Sequence, residues 1–269
     1  MKKSVATVQS YYDSDPEHEW QRLDRGRFEM PITMHYLQKY LPDRSSVLDV
    51  GGGPGRYSIA LAKLGHTVDI LDLSSECISL AKRKAEQANV RLNGFHTGTC
   101  TDLSRFPAES FDAVLCMGPL YHLTDSDDRQ TAVLQCLRVL KPSGLFVASF
   151  LSSYAHVFDL VCIDIGLIRD YDPWLLAKRC VSSSFEGDKL VFTDSHYIEP
   201  FEVATFMGKF SLEQLSIIGA QGLTGQSQAA IARTDPEVLH KWIELGKALA
   251  ESNGAIGSSI HIAYFGRKL

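Results

Sequence analysis

From residue 46 the chain alternates short apolar runs with amphipathic stretches. Ser46 to Val50 is an apolar run ending in glycines and reads as a buried strand. Arg56 to Leu64 reads as a helix, closed by Gly65 at the usual stop position. Thr67 to Leu71 is a second strand. Ser74 can cap the next helix, whose apolar face is Cys77, Ile78, Ala81, Ala85 and Ala88 at helical spacing. A third strand is expected roughly from Val90 to Thr97. Phe111 to Met117 is a fourth, apolar on both faces as parallel strands between helices are. A helix starting at Thr124 or Asp125 runs through Leu140 and is stopped by Lys141-Pro142-Ser143-Gly144. Leu145 to Phe150 is a fifth strand. This alternation predicts a parallel sheet with right-handed crossovers.

The flanks behave differently. Residues 1–45 hold an aromatic and charged segment, Tyr11-Tyr12-Asp13 through Glu19-Trp20 to Arg27, and an apolar helix ending near Leu41-Pro42. They are expected to form an N-terminal helical cover, with 46–151 the ligand-binding core. Residues 152–200 lose the rhythm, mixing Tyr154, His156, Tyr171, Trp174 and Phe185 with glycine and charges, and read as a lid or substrate insertion. Residues 201–269 should complete the sheet, with a helix near Pro200–Phe210, a strand near Leu215–Ile218, a helix from Pro236 to about Glu251 and a last strand at Ile260–Phe265.

Composition narrows the function classes. The 269 residues are 45% hydrophobic and 22% charged, which fits a globular protein. The net charge of −5 and the absence of a basic stripe argue against nucleic acid. The Lys82-Arg83-Lys84 run falls on a helix beside Glu86 and reads as a solvated face. No apolar run is long enough for a membrane span and no secretory leader is visible, so a cytoplasmic location is expected. Six cysteines at 77, 100, 116, 136, 162 and 180 form no C-x-x-C pair; they read as reduced, mostly buried thiols, and no metal site is expected.

The chemistry gathers at Asp49-Val50-Gly51-Gly52-Gly53-Pro54-Gly55-Arg56, where strand one turns into helix one. Glycines at 51, 53 and 55 allow a tight turn under a ligand, and the helix that follows should offer free N–H groups. A dinucleotide loop would read G-x-G-x-x-G, whereas Arg56 stands at the third glycine position and Pro54 has no N–H for a pyrophosphate. Asp49 suits a ligand with an α-ammonium group, met directly or through water. Asp72 ends strand two, 19 residues after Gly53, where a carboxylate can accept both hydroxyls of a ribose. A ligand-free glycine turn, and Asp72 as a helix cap competing with Ser74, are the plainer alternatives.

Val47 to Gly55 with Leu71-Asp72-Leu73-Ser74 resembles the first two motifs of the class I S-adenosylmethionine (SAM)-dependent methyltransferases. Phe111-Asp112-Ala113-Val114-Leu115 is similar to their strand-four motif, and Arg138 to Gly144 to the run leading into strand five. The resemblance spans 46–151. It implies an α/β, Rossmann-like, doubly wound and mostly parallel seven-stranded sheet with helices on both faces, and SAM as cofactor. By position it places Asp49, Gly51 and Gly53 around the methionine tail, and Asp72 and Leu73 at the ribose. The family's acidic residue near the adenine amine is replaced by Thr99, so adenine contacts pass to Thr99, Cys100, Thr101 or a rearranged Asp102. Met117-Gly118-Pro119-Leu120-Tyr121-His122 resembles a subgroup of small-molecule methyltransferases with Gly-Pro-Leu-Tyr-His here, where residues line the sulfonium end. Tyr11-Tyr12 and Glu19-Trp20-Gln21-Arg22 resemble the helical cover that closes over the cofactor in that subgroup.

For this chemistry, alignment and exclusion of water matter most. Tyr12, Trp20 and Tyr121 are aromatic candidates beside the sulfonium, with plain packing the alternative for the first two. If the acceptor is a hydroxyl a base is useful, and His122 is the best-placed histidine; a structural role is its alternative. His156, His196 and His261 are weaker. Arg22, Arg27 and Arg169 could each meet a carboxylate. The expected activity is methyl transfer to a small-molecule acceptor at O, N, S or C, without nucleic acid or membrane partners and with a homodimer left open. An RNA or protein methyltransferase, or a non-catalytic SAM-binding protein, stays as the alternative.

Overall fold

The computed structural model describes residues 3–25, 27–182 and 195–269. Three helices come first, α1 (Lys3–Ser14), α2 (Pro16–Arg25) and α3 (Glu29–Tyr40). The alternating region follows as β1 (Ser46–Val50), α4 (Arg56–Lys63), β2 (Thr67–Asp72), α5 (Ser75–Gln87), β3 (Gly94–Thr97), β4 (Phe111–Cys116), the single turn α6 (Pro119–His122), α7 (Ser126–Val139) and β5 (Leu140–Ser152). Then come α8 (Ala155–Ile163), a 3₁₀ turn at Ile165–Asp170, α9 (Pro173–Ser182), β6 (Tyr197–Ile198), α10 (Glu202–Met207) and β7 (Leu212–Gly219). A 3₁₀ turn at Gly222–Ser227 precedes α11 (Gln228–Ile231), α12 (Pro236–Leu249), α13 (Asn253–Gly257) and β8 (His261–Lys268).

The strands form one mostly parallel sheet in the order β3-β2-β1-β4-β5-β8-β7, with β8 antiparallel to both its neighbours. Among the described residues there is one strand more than the seven expected, because two-residue β6 pairs with the end of β5. Alternate residues of β1 serve opposite faces: Val47 packs with Val68, Ile70 and the α3–α5 side, Leu48 and Val50 with Phe146 and the α7 side. The chain reverses direction of growth between β1 and β4, which opens a crevice past their carboxyl ends.

Several elements shift from their expected bounds for local reasons. Residues 90–93 do not join β3, because Asn89 takes a positive φ of 54° and Val90 N–H turns back to Ala85 O. Asp125 caps α7 by accepting from Asp127 and Asp128 N–H, and β5 begins at Leu140, which already pairs with Phe111. The region expected to be irregular is helical over α8 and α9; residues 183–194, Phe185 among them, lie outside the described residues. Asp112 and Arg138, both in motif segments, are structural. Burial works against ionising Asp112, but bonds from Lys141 and Ser46 hold its carboxyl down at about 2. Arg138 donates to the carbonyls of Leu103 and Phe106. Five cysteines are free and buried; the side chain of Cys162 lies outside the described ones. No helix among the described residues is long and apolar enough to cross a membrane, and no cluster there could hold a metal.

Candidate active site

The crevice between the β1 and β4 ends is a cleft holding about 1040 Å³ of empty space, open solvent at its mouth included. Its floor is the loop 51–54 with Leu71, Asp72 and Leu73; one wall is Gly98, Thr99 and Cys100, the other Met117 to Pro119 with Tyr121 and His122. Its roof comes from α1 and α2: Val5, Val8, Tyr12, Glu19, Arg22 and Leu23.

The loop conformation follows from two glycines. At Gly51 φ is +72°, and a β-carbon would run into the Pro119 ring, so the loops after β1 and β4 meet closely there. At Gly53 φ is +53°, and a β-carbon would meet only Glu19 Cγ, at 3.8 Å; bare backbone faces the cleft. The N–H groups expected to await an anion are largely used within the loop. Gly51 and Gly52 donate to Leu71 O, Gly53 to Asp72, and Gly55 to Gly52 O.

Asp72 is the organising carboxylate. It accepts from Gly53 N–H at 2.7 Å and from Ser74 N–H at 2.8 Å, so it pins the loop to the β2 end. Helix capping falls to Ser74, which accepts from Cys77 N–H. Asp49 lies under Gly52 and accepts from Ser58 Oγ at 2.6 Å. Burial pushes each carboxyl up to about 6, outweighing these bonds, and the two negative charges reinforce the shift at Asp49.

At the β4 end, Tyr12 Oη lies 2.8 Å from His122 Nε2, tying α1 to α6 across the cleft. Tyr121 packs edge-on against His122 and also joins the apolar cluster of the insertion, with Leu151, Leu160, Leu176 and Tyr197. The far end of the insertion is tethered there too, His196 N–H donating to Tyr121 O at 2.7 Å. Burial raises the pKa of Tyr12 and Tyr121, so both are neutral phenols at ordinary pH.

Of the sequence-expected residues, the structure brings Asp49, Gly51, Gly53, Asp72, Leu73, Thr99, Cys100, Met117, Gly118, Tyr12, Tyr121 and His122 to this cleft. Two stand outside its lining. Trp20 is on the same helix as Glu19 but turned away, its ring covered at 4.8 Å by both Arg56 and Lys84. Thr101 is not part of the lining, and its hydroxyl pairs with that of Thr99 at 3.0 Å. From the sequence, Glu19 and Arg22 stand only within the segment likened to a helical cover, with Arg22 also one of three candidate arginines. Arg22 is singled out by its setting: Nη1 and Nη2 meet Glu29 at 2.8 and 3.3 Å, and Nε meets Glu19 at 2.8 Å. Behind it Gln221 donates to Glu29 and to His261 Nδ1. Burial would raise the Glu29 carboxyl, but Arg22, His261 and Gln221 hold it down at about 2.

A family described as "Methyltransferase domain" matches residues 47–144. The ubiquinone biosynthesis O-methyltransferase of Xanthomonas axonopodis pv. citri is 31% identical over 176 residues, covering 64% of this chain and 69% of that protein. Among solved structures, a SAM-dependent methyltransferase from Thermotoga maritima superposes with a TM-score of 0.59 at 14% identity, covering 97% of this chain and 99% of that one. The 1,6-didemethyltoxoflavin-N1-methyltransferase of Burkholderia thailandensis, with S-adenosylhomocysteine bound, gives 0.55 at 17%, covering 98% and 88%. At such identities the structural likeness speaks for the fold.

Proposed function

Since the chain belongs to the class I SAM-dependent methyltransferase family, we propose that it methylates a hydroxyl of a small, largely apolar acceptor, with His122 receiving the proton. The enzyme uses SAM as its cofactor. The cleft suits that molecule on its own chemistry. Glu19, Asp49 and Asp72 border it, against Arg22 and an Arg56 that is engaged by Asp24 at 2.7 and 2.9 Å. This negative balance favours a ligand with two positive centres and one negative one. Gly53 leaves space where any side chain would intrude.

In this reading Asp72 holds the ribose, with Leu73, Thr99 and Cys100 on the adenine side. Gly51, Gly53 and Asp49 surround the methionine tail, and Met117, Gly118, Tyr12 and Tyr121 close the reactive end. When bound, SAM supplies an electrophilic methyl group on a sulfonium. The chain's own residues do the rest. Tyr12, Tyr121 and the apolar cluster behind Tyr121 exclude water, which favours charge-neutralising displacement. The acceptor oxygen gains the methyl and passes its proton to His122 Nε2.

The observation that carries the hydroxyl reading is the 2.8 Å pair of Tyr12 Oη and His122 Nε2, a phenol already resting on the nitrogen an acceptor hydroxyl would use. The name of the Xanthomonas relative, an O-methyltransferase, supports it. The insertion packed over the strand ends and the net charge of −5 favour a small acceptor over RNA. Methyl-labelled SAM supplied with catechol, caffeate and 4-hydroxybenzoate, and in parallel with aryl and alkyl amines, tests the reading. Label on the phenols is expected; label passing only to amines or to RNA contradicts it. His122→Asn should cut phenol methylation by about 10²–10⁴-fold while leaving S-adenosylhomocysteine affinity intact.

A further inference from the structure

The ion pair on the inner face of α2 is placed where the amino-acid tail of the cofactor must lie, and its chemistry is complementary to a zwitterion. Glu19 and Arg22 are three residues apart on one helix and both border the cleft above the glycine loop, with Glu19 Cγ next to the bare face of Gly53. The tail carries an ammonium and a carboxylate on one carbon. The loop cannot hold that carboxylate well, since the N–H groups of Gly51, Gly52, Gly53 and Gly55 are used internally and Pro54 has none. Asp49 is an indirect partner for the ammonium, because it sits beneath Gly52 with one oxygen on Ser58 and is only 2% exposed.

Above the loop the unused capacity is of the right kind. Arg22 has five N–H groups; three are donated to Glu19 and Glu29, which leaves two. The guanidinium fork is held by Glu29, itself 8% exposed and held by Gln221, so the orientation of the unused N–H groups is set without the ligand. Glu19 uses Oε1 for Arg22, and no described residue donates to its Oε2. Arg56, the other cation of the lining, is taken by Asp24 and by the carbonyl of Trp20.

We propose that Glu19 and Arg22 together form a zwitterion clamp: Glu19 accepts from the α-ammonium of the cofactor's methionine tail, and a remaining N–H group of Arg22 donates to its α-carboxylate. Arg22 is shared by Glu19 and Glu29, so the group of three carries one net negative charge in the free protein, and a neutral zwitterion adds no net charge to the cleft. It also explains why α2 is amphipathic in charge, with Trp20 and Asp24 turned outward to Arg56 and Lys84 while Glu19 and Arg22 turn inward. The inference rests on the cleft being the cofactor site and is independent of the acceptor.

The test is calorimetric and needs no acceptor. S-adenosylhomocysteine carries both charges, its decarboxylated analogue only the ammonium, and 5′-methylthioadenosine neither. For Arg22→Met the affinity for S-adenosylhomocysteine should fall about 10- to 100-fold, with methylthioadenosine unchanged and the decarboxylated analogue not weakened. For Glu19→Gln, which leaves Arg22 paired to Glu29, S-adenosylhomocysteine and the decarboxylated analogue should both weaken by a similar factor, again with methylthioadenosine unchanged. Should Arg22→Met not fold, Glu19→Gln carries the test alone. Equal weakening of all three ligands assigns the pair a structural role and overturns the clamp, as does an unchanged preference for S-adenosylhomocysteine over methylthioadenosine. If the wild-type protein binds none of the three, the cofactor-site assignment fails first and the clamp with it.

Discussion

Asp72 shows how one side chain can serve fold and ligand together. Its two oxygens already accept from Gly53 and Ser74, and each keeps a second lone pair for a ribose hydroxyl. Asp72→Ala should therefore weaken S-adenosylhomocysteine binding by about 2–4 kcal/mol in calorimetry, since bonds to a charged acceptor are worth about 1.5–3 kcal/mol each. A pH series sharpens this. Asp49 and Asp72 titrate near 6 in the free protein, above their ordinary 3.8, so the folded chain keeps protons that the unfolded chain has released. Free-protein stability accordingly falls as pH rises from about 4 to 7. A ligand that needs ionised carboxylates expels those protons, so its affinity drops as pH falls below about 6; Asp72→Asn should be weaker throughout and less steep. These two acids were legible in the sequence because each ends a strand next to a glycine or capping residue. Arg22 was not separable from Arg27 and Arg169, because what selects it, Glu29 with Gln221 and His261, is assembled from positions up to 239 residues along the chain.

At the scale of elements, the core helices and strands were readable because burial period and capping residues agree: Ser74 and Asp125 both cap where expected. Expectation failed where pairing, not propensity, sets the bounds. The apolar residues Val90 and Leu92 look like strand but precede the Gly94–Asp69 register, and β5 gains Leu140 only through Phe111. The helical cover was expected, yet its attachment was not. In α1 and α2 the buried apolar side chains among the described residues are Val8 and Leu23, and polar ties add to them: Tyr12 to His122, Asp13 to Ser74, Glu17 to Lys84, Arg22 to Glu29 and Asp24 to Arg56. The partly exposed pairs Glu17–Lys84 and Asp24–Arg56 contribute little, about 0–1 kcal/mol each. The cover is thus an element that opens locally at low cost. Hydrogen exchange should show α1 and α2 amides exchanging faster than those of β1 and β4, and slowing on addition of S-adenosylhomocysteine. Protection that is unchanged by ligand would detach the cover from the site.

For the whole molecule, topology decides where chemistry can occur. The β1 and β4 ends diverge at the switch point, and the antiparallel β8 brings its first residue, His261, to the same edge, opposite Leu151. That reversal explains how the carboxyl-terminal strand reaches the network behind Arg22. The sequence conveyed the parallel core through its alternation but not this return, since a lone terminal strand carries no mark of its direction. The chemistry proposed for this chain requires the cofactor to lie in the cleft between the glycine loop and the α1–α2 roof. Crystals grown with S-adenosylhomocysteine measure it directly. The ligand should appear above Gly53 with its ribose on Asp72 and its tail beneath Arg22. A cleft left empty, or the same ligand bound elsewhere on the protein, would contradict it.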